Sequence, residues 1–120
     1  MKTNEACIPE LSMALLERMA GALKILAHPC RLKLIEILQR EGDLPVHLIM
    51  ERLQIPQATI SQHLNQMRRA GLVRAVRKGK EVWYGIDDPS ALTILDCIRR
   101  KQAGGQNSES RIQNSESKRL

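Results

Sequence analysis

Apolar residues recur along this chain at two different spacings, and each change of spacing marks an element. Between Glu10 and Ala27, Leu11, Leu15, Leu16, Met19, Leu23 and Leu26 return every three or four positions, which predicts an amphipathic helix with Pro9 at its entrance. Pro29 to Glu41 predicts a second helix. Its Leu32, Leu34, Ile35, Ile37 and Leu38 offer more apolar surface than one contact face uses, so this helix is expected at the centre of the core. Val46, Ile49, Met50 and Leu53 form a short third pattern, and Gln54-Ile55-Pro56 reads as a tight link to a fourth. In that fourth segment, Gln57 to Met67, Ile60, Leu64 and Met67 fall at i, i+4 and i+7, and Pro56 suits a helix entrance because it lacks an N–H and fixes φ.

After Arg68-Arg69-Ala70 the pattern changes. Gly71 is placed to close the helix in a left-handed cap, with the two arginines where a helix C-terminus favours cations. Leu72 to Val76 and Val82 to Ile86 are short strand-like runs joined by Arg77-Lys78-Gly79-Lys80-Glu81, a hairpin with a cationic tip. Asp88-Pro89-Ser90 opens a last helix to about Lys101, with Leu92, Ile94, Leu95 and Ile98 apolar. The expected fold is mainly α with a small β-hairpin: a winged helix-turn-helix with four helices, the hairpin and a fifth helix.

Charge sharpens this picture. Residues 54 to 80 hold Arg68, Arg69, Arg74, Arg77, Lys78 and Lys80 and no Asp or Glu, while the basic and acidic residues elsewhere cancel, so the formal net charge of +6 comes from one short region. That is the footprint of a folded surface made to lie against phosphates, although a charge run is also what a plain solvated face looks like. The order of the parts favours the first reading. Gln57, Ala58, Ser61, Gln62 and Asn65 lie off the apolar stripe, neutral and short, and amides and hydroxyls can donate and accept at base edges in a major groove. With no Phe, one Trp and one Tyr, the chain lacks the stacking platforms usual in single-strand binders, which points to duplex DNA. No run approaches the about 18 apolar residues of a membrane span, and no signal-peptide core is seen, so no membrane partner and a cytoplasmic location are expected.

In order and at matching spacing, Leu26-Ala27-His28-Pro29-Cys30-Arg31-Leu32, Thr59-Ile60-Ser61-Gln62-His63-Leu64, Arg69-Ala70-Gly71-Leu72-Val73 and Lys78-Gly79-Lys80 to Trp83-Tyr84 resemble the winged helix-turn-helix repressors of the ArsR/SmtB family. The resemblance runs from about Leu23 to Ile98. It implies a homodimer formed by the first and last helices, with two recognition helices in successive major grooves of a palindromic operator and half-sites about 34 Å apart. On that reading Gln57, Thr59, Ser61, Gln62 and Asn65 read or position bases, Thr59 doubling as a hydroxyl to phosphate. Arg68, Arg69, Arg77, Lys78 and Lys80 hold phosphates, and His63 either packs or touches DNA. The resemblance also has gaps. Where the arsenic-sensing branch carries Cys-Val-Cys this chain has Pro45-Val46-His47, and no His follows His63 to supply the zinc site of the last helix.

The input signal is left to Cys7, Cys30 and Cys97. Cys7 reads as an idle thiol or a ligand, and Cys97 as a small core residue or a sensor. Cys30, in the first turn of the second helix beside Arg31 and His28, is expected to have a lowered pKa. A thiol switch between Cys30 and Cys97 resembles a branch of the family that uses cysteines on these two helices, although that branch's first thiol would fall near Glu36. Alternatives are a site for As(III), Cd(II) or another soft ion made by Cys7, Cys30 and Cys97, or a repressor with no ligand; no cofactor is required. An enzyme is not expected, since Cys30 and His28 are poorly placed to share a proton and no oxyanion or cofactor loop is seen. A winged protein-interaction module is the reading from another class, but it gives no reason for an acid-free 54 to 80 segment. The expected organisation is an arm over 1–9, a DNA-binding and dimerisation domain over 10–102, and a disordered polar tail over 103–120. The tail repeats Gln-Asn-Ser-Glu-Ser at 106–110 and 113–117.

Overall fold

The computed structural model describes residues 8–104. Among these are five helices and a small antiparallel sheet: α1 (Met13–Leu26), α2 (Pro29–Glu41), β1 (Leu44–Pro45), α3 (Val46–Leu53), α4 (Gln57–Arg69), β2 (Val73–Lys78), β3 (Glu81–Ile86) and α5 (Ser90–Gly104). The expected order is present, with one added strand. Residues 1–7 of the expected 1–9 arm, with Cys7, and residues 105–120 of the expected 103–120 tail lie outside the described residues, while 103 and 104 belong to α5.

The helix at the centre is α2. Leu34, Ile35, Ile37 and Leu38 are all buried on it, and it packs against α1, α3, α4, α5 and β3. Side chains of this kind contribute about 1.5–3 kcal/mol each when fully removed from water. Ile49 of α3, Ile60, Leu64 and Met67 of α4, Leu72, Val73 and Leu95 complete the core, which contains no phenylalanine.

Three boundaries differ from expectation. Helix α1 begins at Met13, because the Ser12 hydroxyl accepts from the Leu15 N–H at 3.1 Å and caps the helix three residues beyond Pro9. The hairpin is tighter than a five-residue loop: Lys78 pairs with Glu81, so only Gly79 and Lys80 turn the chain. Gly79 has φ of 65° while Lys80 stays at negative φ, the arrangement of a turn whose first central residue must be glycine. At its far end, α5 continues to Gly104 rather than stopping near Lys101.

The added strand matters for the wing. β1 pairs with β3 in the register Leu44 with Tyr84 and Pro45 with Trp83, so β3 is central and the wing is anchored to the body of the domain. Two residues are too few to show an alternating pattern, and Pro45, lacking an N–H, is confined to such an edge.

Candidate nucleic-acid interface

The helix-turn-helix is held at both joints by backbone geometry. α3 ends in Gln54 at φ 60°, a left-handed residue that is not glycine; its N–H donates to the Met50 carbonyl and its amide Nε2 to the Glu51 carbonyl at 2.9 Å. Two residues later Pro56 caps α4. At the other end the Gly71 N–H donates to the Arg68 carbonyl and the Leu72 N–H to that of Met67, a Schellman closure with Gly71 at φ 80°. Arg52 adds a fork from α3 to Glu41 at the end of α2, at 2.7–3.0 Å, and that guanidinium holds the Glu41 carboxyl below its ordinary value.

Helix α4 thus presents a defined face. Ile60, Leu64 and Met67 are buried, and the row on the other side is Ala58, Gln62, Asn65 and Arg69, again three or four residues apart. Gln57, Thr59, Gln62, Arg68 and Arg69 are exposed, while Ser61 and Asn65 are half-buried along the flank. His63 is not part of this face: its Nδ1 accepts from Arg31 Nε at 3.1 Å on the inner side of α4.

The wing comes alongside the start of α4. A shallow cleft of roughly 400 Å³ has Gln57 and Ser61 on one wall and Lys80, Glu81 and Val82 on the other, with Tyr84 and His47 also lining it. The wing is tied to α3 by His47 Nδ1 and the Glu81 carboxylate at 3.0 Å, so His47 is a strut between elements. Arg77, Lys78 and Lys80 are exposed on the hairpin. Lys78 rests its ammonium over the ring of Trp83, 4.6 Å from the centroid, a cation–π contact that steadies the side chain.

One of the six basic residues is withdrawn from this surface. Arg74 donates through Nη2 to both oxygens of Asp43 at 3.0 and 3.1 Å, and through Nη1 to the Ile86 carbonyl. The Asp43 carboxylate lies over Gly85, where a Cβ would collide with it. Both ends were visible in the sequence, but 31 residues separate them and no local signal joins them. Arg74→Ala is therefore expected to leave duplex affinity within about twofold of the original while costing about 0.5–1 kcal/mol of stability. Arg77→Ala should do the reverse. Titration of both variants with labelled duplex, beside their thermal melts, checks the contrast.

The cysteine expectations change. Cys30 is partly buried, and burial pushes its thiol up from the ordinary value against the opposing pull of Arg31; the helix N-terminus and Arg31 do not make it a low-pKa thiol. Cys97 is exposed on α5 instead of being a core residue, and both thiols are free. At the position of the arsenic-type thiolates, Pro45 is buried in β1 and His47 is engaged with Glu81, a donor set that does not fit a soft ion. Among the described residues no group of three or more His, Cys, Asp or Glu side chains is arranged to hold a metal.

Comparison with known proteins agrees with the geometry. Residues 28–75 match the family described as "Bacterial regulatory protein, arsR family". The transcriptional repressor PagR of Bacillus anthracis is 42% identical over 83 residues, covering 69% of this chain and 83% of that protein. Its crystal structure superposes with a TM-score of 0.67 at 37% identity, over 72% of this chain and 99% of that one. The biofilm growth-associated repressor of Xylella fastidiosa is 33% identical over 90 residues, covering 70% of this chain and 78% of that protein. A stripe-packed α4 with a polar, acid-free outer face, a basic wing anchored beside it and these relatives lead to one assignment: the chain belongs to the ArsR/SmtB family of winged helix-turn-helix, DNA-binding transcriptional repressors.

Proposed function

We propose that this repressor binds a palindromic operator as a homodimer, with α4 of each copy in a major groove and the wings on the flanking backbone. The observation that carries the reading is the single continuous surface formed by the exposed amides of α4 and the cations of the wing, with no acidic residue between 54 and 80. Gln62 and Asn65 read bases, and Gln57, Thr59 and Ser61 position the helix start. Arg68, Arg69, Arg77, Lys78 and Lys80 hold phosphates.

Dimerisation is supported by apolar surface left open on one copy. Met13, Leu16 and Leu23 share a face of α1 and are exposed, Met13 at 66%, and Ile98 of α5 is exposed as well. A second copy covering these residues would bury the stripe that the core of a small domain leaves out.

For the input, the proposal is a thiol switch entered at Cys97. The exposed Cys97 is the thiol an oxidant reaches, and the partly buried Cys30 serves as its partner. Peroxide takes two electrons from the Cys97 thiolate to give a sulfenic acid, which condenses with the Cys30 thiol to a disulfide with loss of water. Footprinting on the chain's own upstream DNA should show two protected half-sites about one helical turn apart. Peroxide or polysulfide should remove that protection and dithiothreitol restore it, except in Cys97→Ser. Loss only with As(III) or Cd(II) would replace the switch by a soft-ion site that includes Cys7. Protection indifferent to every agent would leave a ligand-independent repressor, and failure to bind any duplex would favour the interaction-module reading.

A further inference from the structure

The junction of α1, α2 and α4 carries a basic cluster that the outer face of α4 does not explain. Arg31, in the first turn of α2, donates through Nε to His63 Nδ1 at 3.1 Å and through Nη1 to the Ile25 carbonyl at 3.0 Å. One guanidinium therefore fastens α4 to the last turn of α1. His28, between α1 and α2, stands with its ring 4.6 Å from that of His63 and tilted by 60°. Its own Nδ1 accepts from the Cys30 N–H at 3.1 Å and caps α2.

Both imidazoles thus accept at Nδ1, and each accepts only while that nitrogen is unprotonated. A proton on His63 would set an N–H against the Arg31 N–H, donor to donor and cation to cation. The charged or titratable groups that act on His63 are His28 from the α1–α2 junction and Arg31 from α2, both basic; α1 contributes the Ile25 carbonyl, and the Cys30 thiol lies next to Arg31 in the chain. Among the described residues none of the three basic groups forms an ion pair with a carboxylate.

We propose that Arg31 positions the recognition helix through His63, and that protonation at this junction loosens α4 so that specific DNA affinity falls as the medium acidifies. The inference rests on α4 being the reading helix. Burial first, then His28 and Arg31, hold His63 below the ordinary histidine value of 6.5. Because the folded-state value is lowered, the stabilisation is fully present above the unfolded pKa of about 6.5 and is lost as pH falls through the lower folded value.

Anisotropy titrations on the chain's own upstream duplex should show specific affinity dropping severalfold, by less than about tenfold, between about pH 7.5 and 5.5, while affinity for a shuffled duplex does not fall. His63→Gln, whose amide oxygen can accept from Arg31 without titrating, should keep the affinity and flatten the profile. His47→Gln should keep the original slope. A flat wild-type profile, an unchanged slope in His63→Gln or a flattened one in His47→Gln would overturn the proposal. Imidazole NMR on the free protein tests the junction without DNA and so separates its failure from that of the DNA reading. His63 should titrate below the ordinary value together with shifts of the α4 amides, and Arg31→Lys should uncouple the two. Ordinary titration with silent α4 amides would overturn the proposal whatever the DNA result.

Discussion

Truncating Leu64 to alanine is expected to lower the unfolding free energy by about 3.5 kcal/mol, the middle of the range for a buried leucine. Leu64 is wholly buried between Ile60 and Met67, which are equally buried, so the cavity has no solvent edge through which to relax. For a domain of this size that corresponds to a melting temperature lower by about 15 °C. DNA binding at room temperature should weaken mainly through the unfolded fraction and be partly restored on cooling. Gln62→Ala, two residues away on the exposed face of the same helix, should stay within about 0.5 kcal/mol of the original stability. Calorimetry of the two variants checks the contrast, and a Leu64→Ala melt matching the original would mean that α4 is not held through this stripe.

The second large effect concerns reading rather than folding. Gln62→Ala should weaken operator binding about 5- to 150-fold, the worth of one bidentate base contact, and leave affinity for shuffled DNA nearly unchanged. Lys78→Ala should weaken both duplexes alike and reduce the slope of log affinity against log salt by about one. Lys78 rests on Trp83, the chain's one tryptophan, so the same variant should alter the intrinsic fluorescence of the free protein. Equal losses on both duplexes for Gln62→Ala would remove it from base reading. A slope unchanged in Lys78→Ala would remove the wing tip from the phosphates.

Helical periodicity made the larger elements legible. Ile60, Leu64 and Met67 mark the inner stripe of α4, the five apolar residues of α2 signal a central helix, and Pro56 and Gly71 delimit the recognition helix to within about two residues. What escaped has no local period. β1 is two residues long and is defined by its partner strand, and Arg74 is drawn off the basic surface by an aspartate 31 positions away. The Cys30 expectation failed for a related reason. Helix position and neighbouring charge are visible in one dimension and lower a thiol pKa, whereas the burial that outweighs them depends on packing across the fold. His63 repeats the pattern: the sequence left it open between packing and touching DNA, and the bond to Arg31 that decides it exists only once α2 and α4 are packed together.

The measurement that tests the assignment most directly is the affinity of the purified protein for its own upstream duplex and for a shuffled duplex of the same composition, across a series of salt concentrations. Binding to the upstream duplex is expected to be tighter by about a thousandfold or more, with both affinities falling linearly in log salt. Equal affinity for the two duplexes, or no dependence on salt, would contradict it.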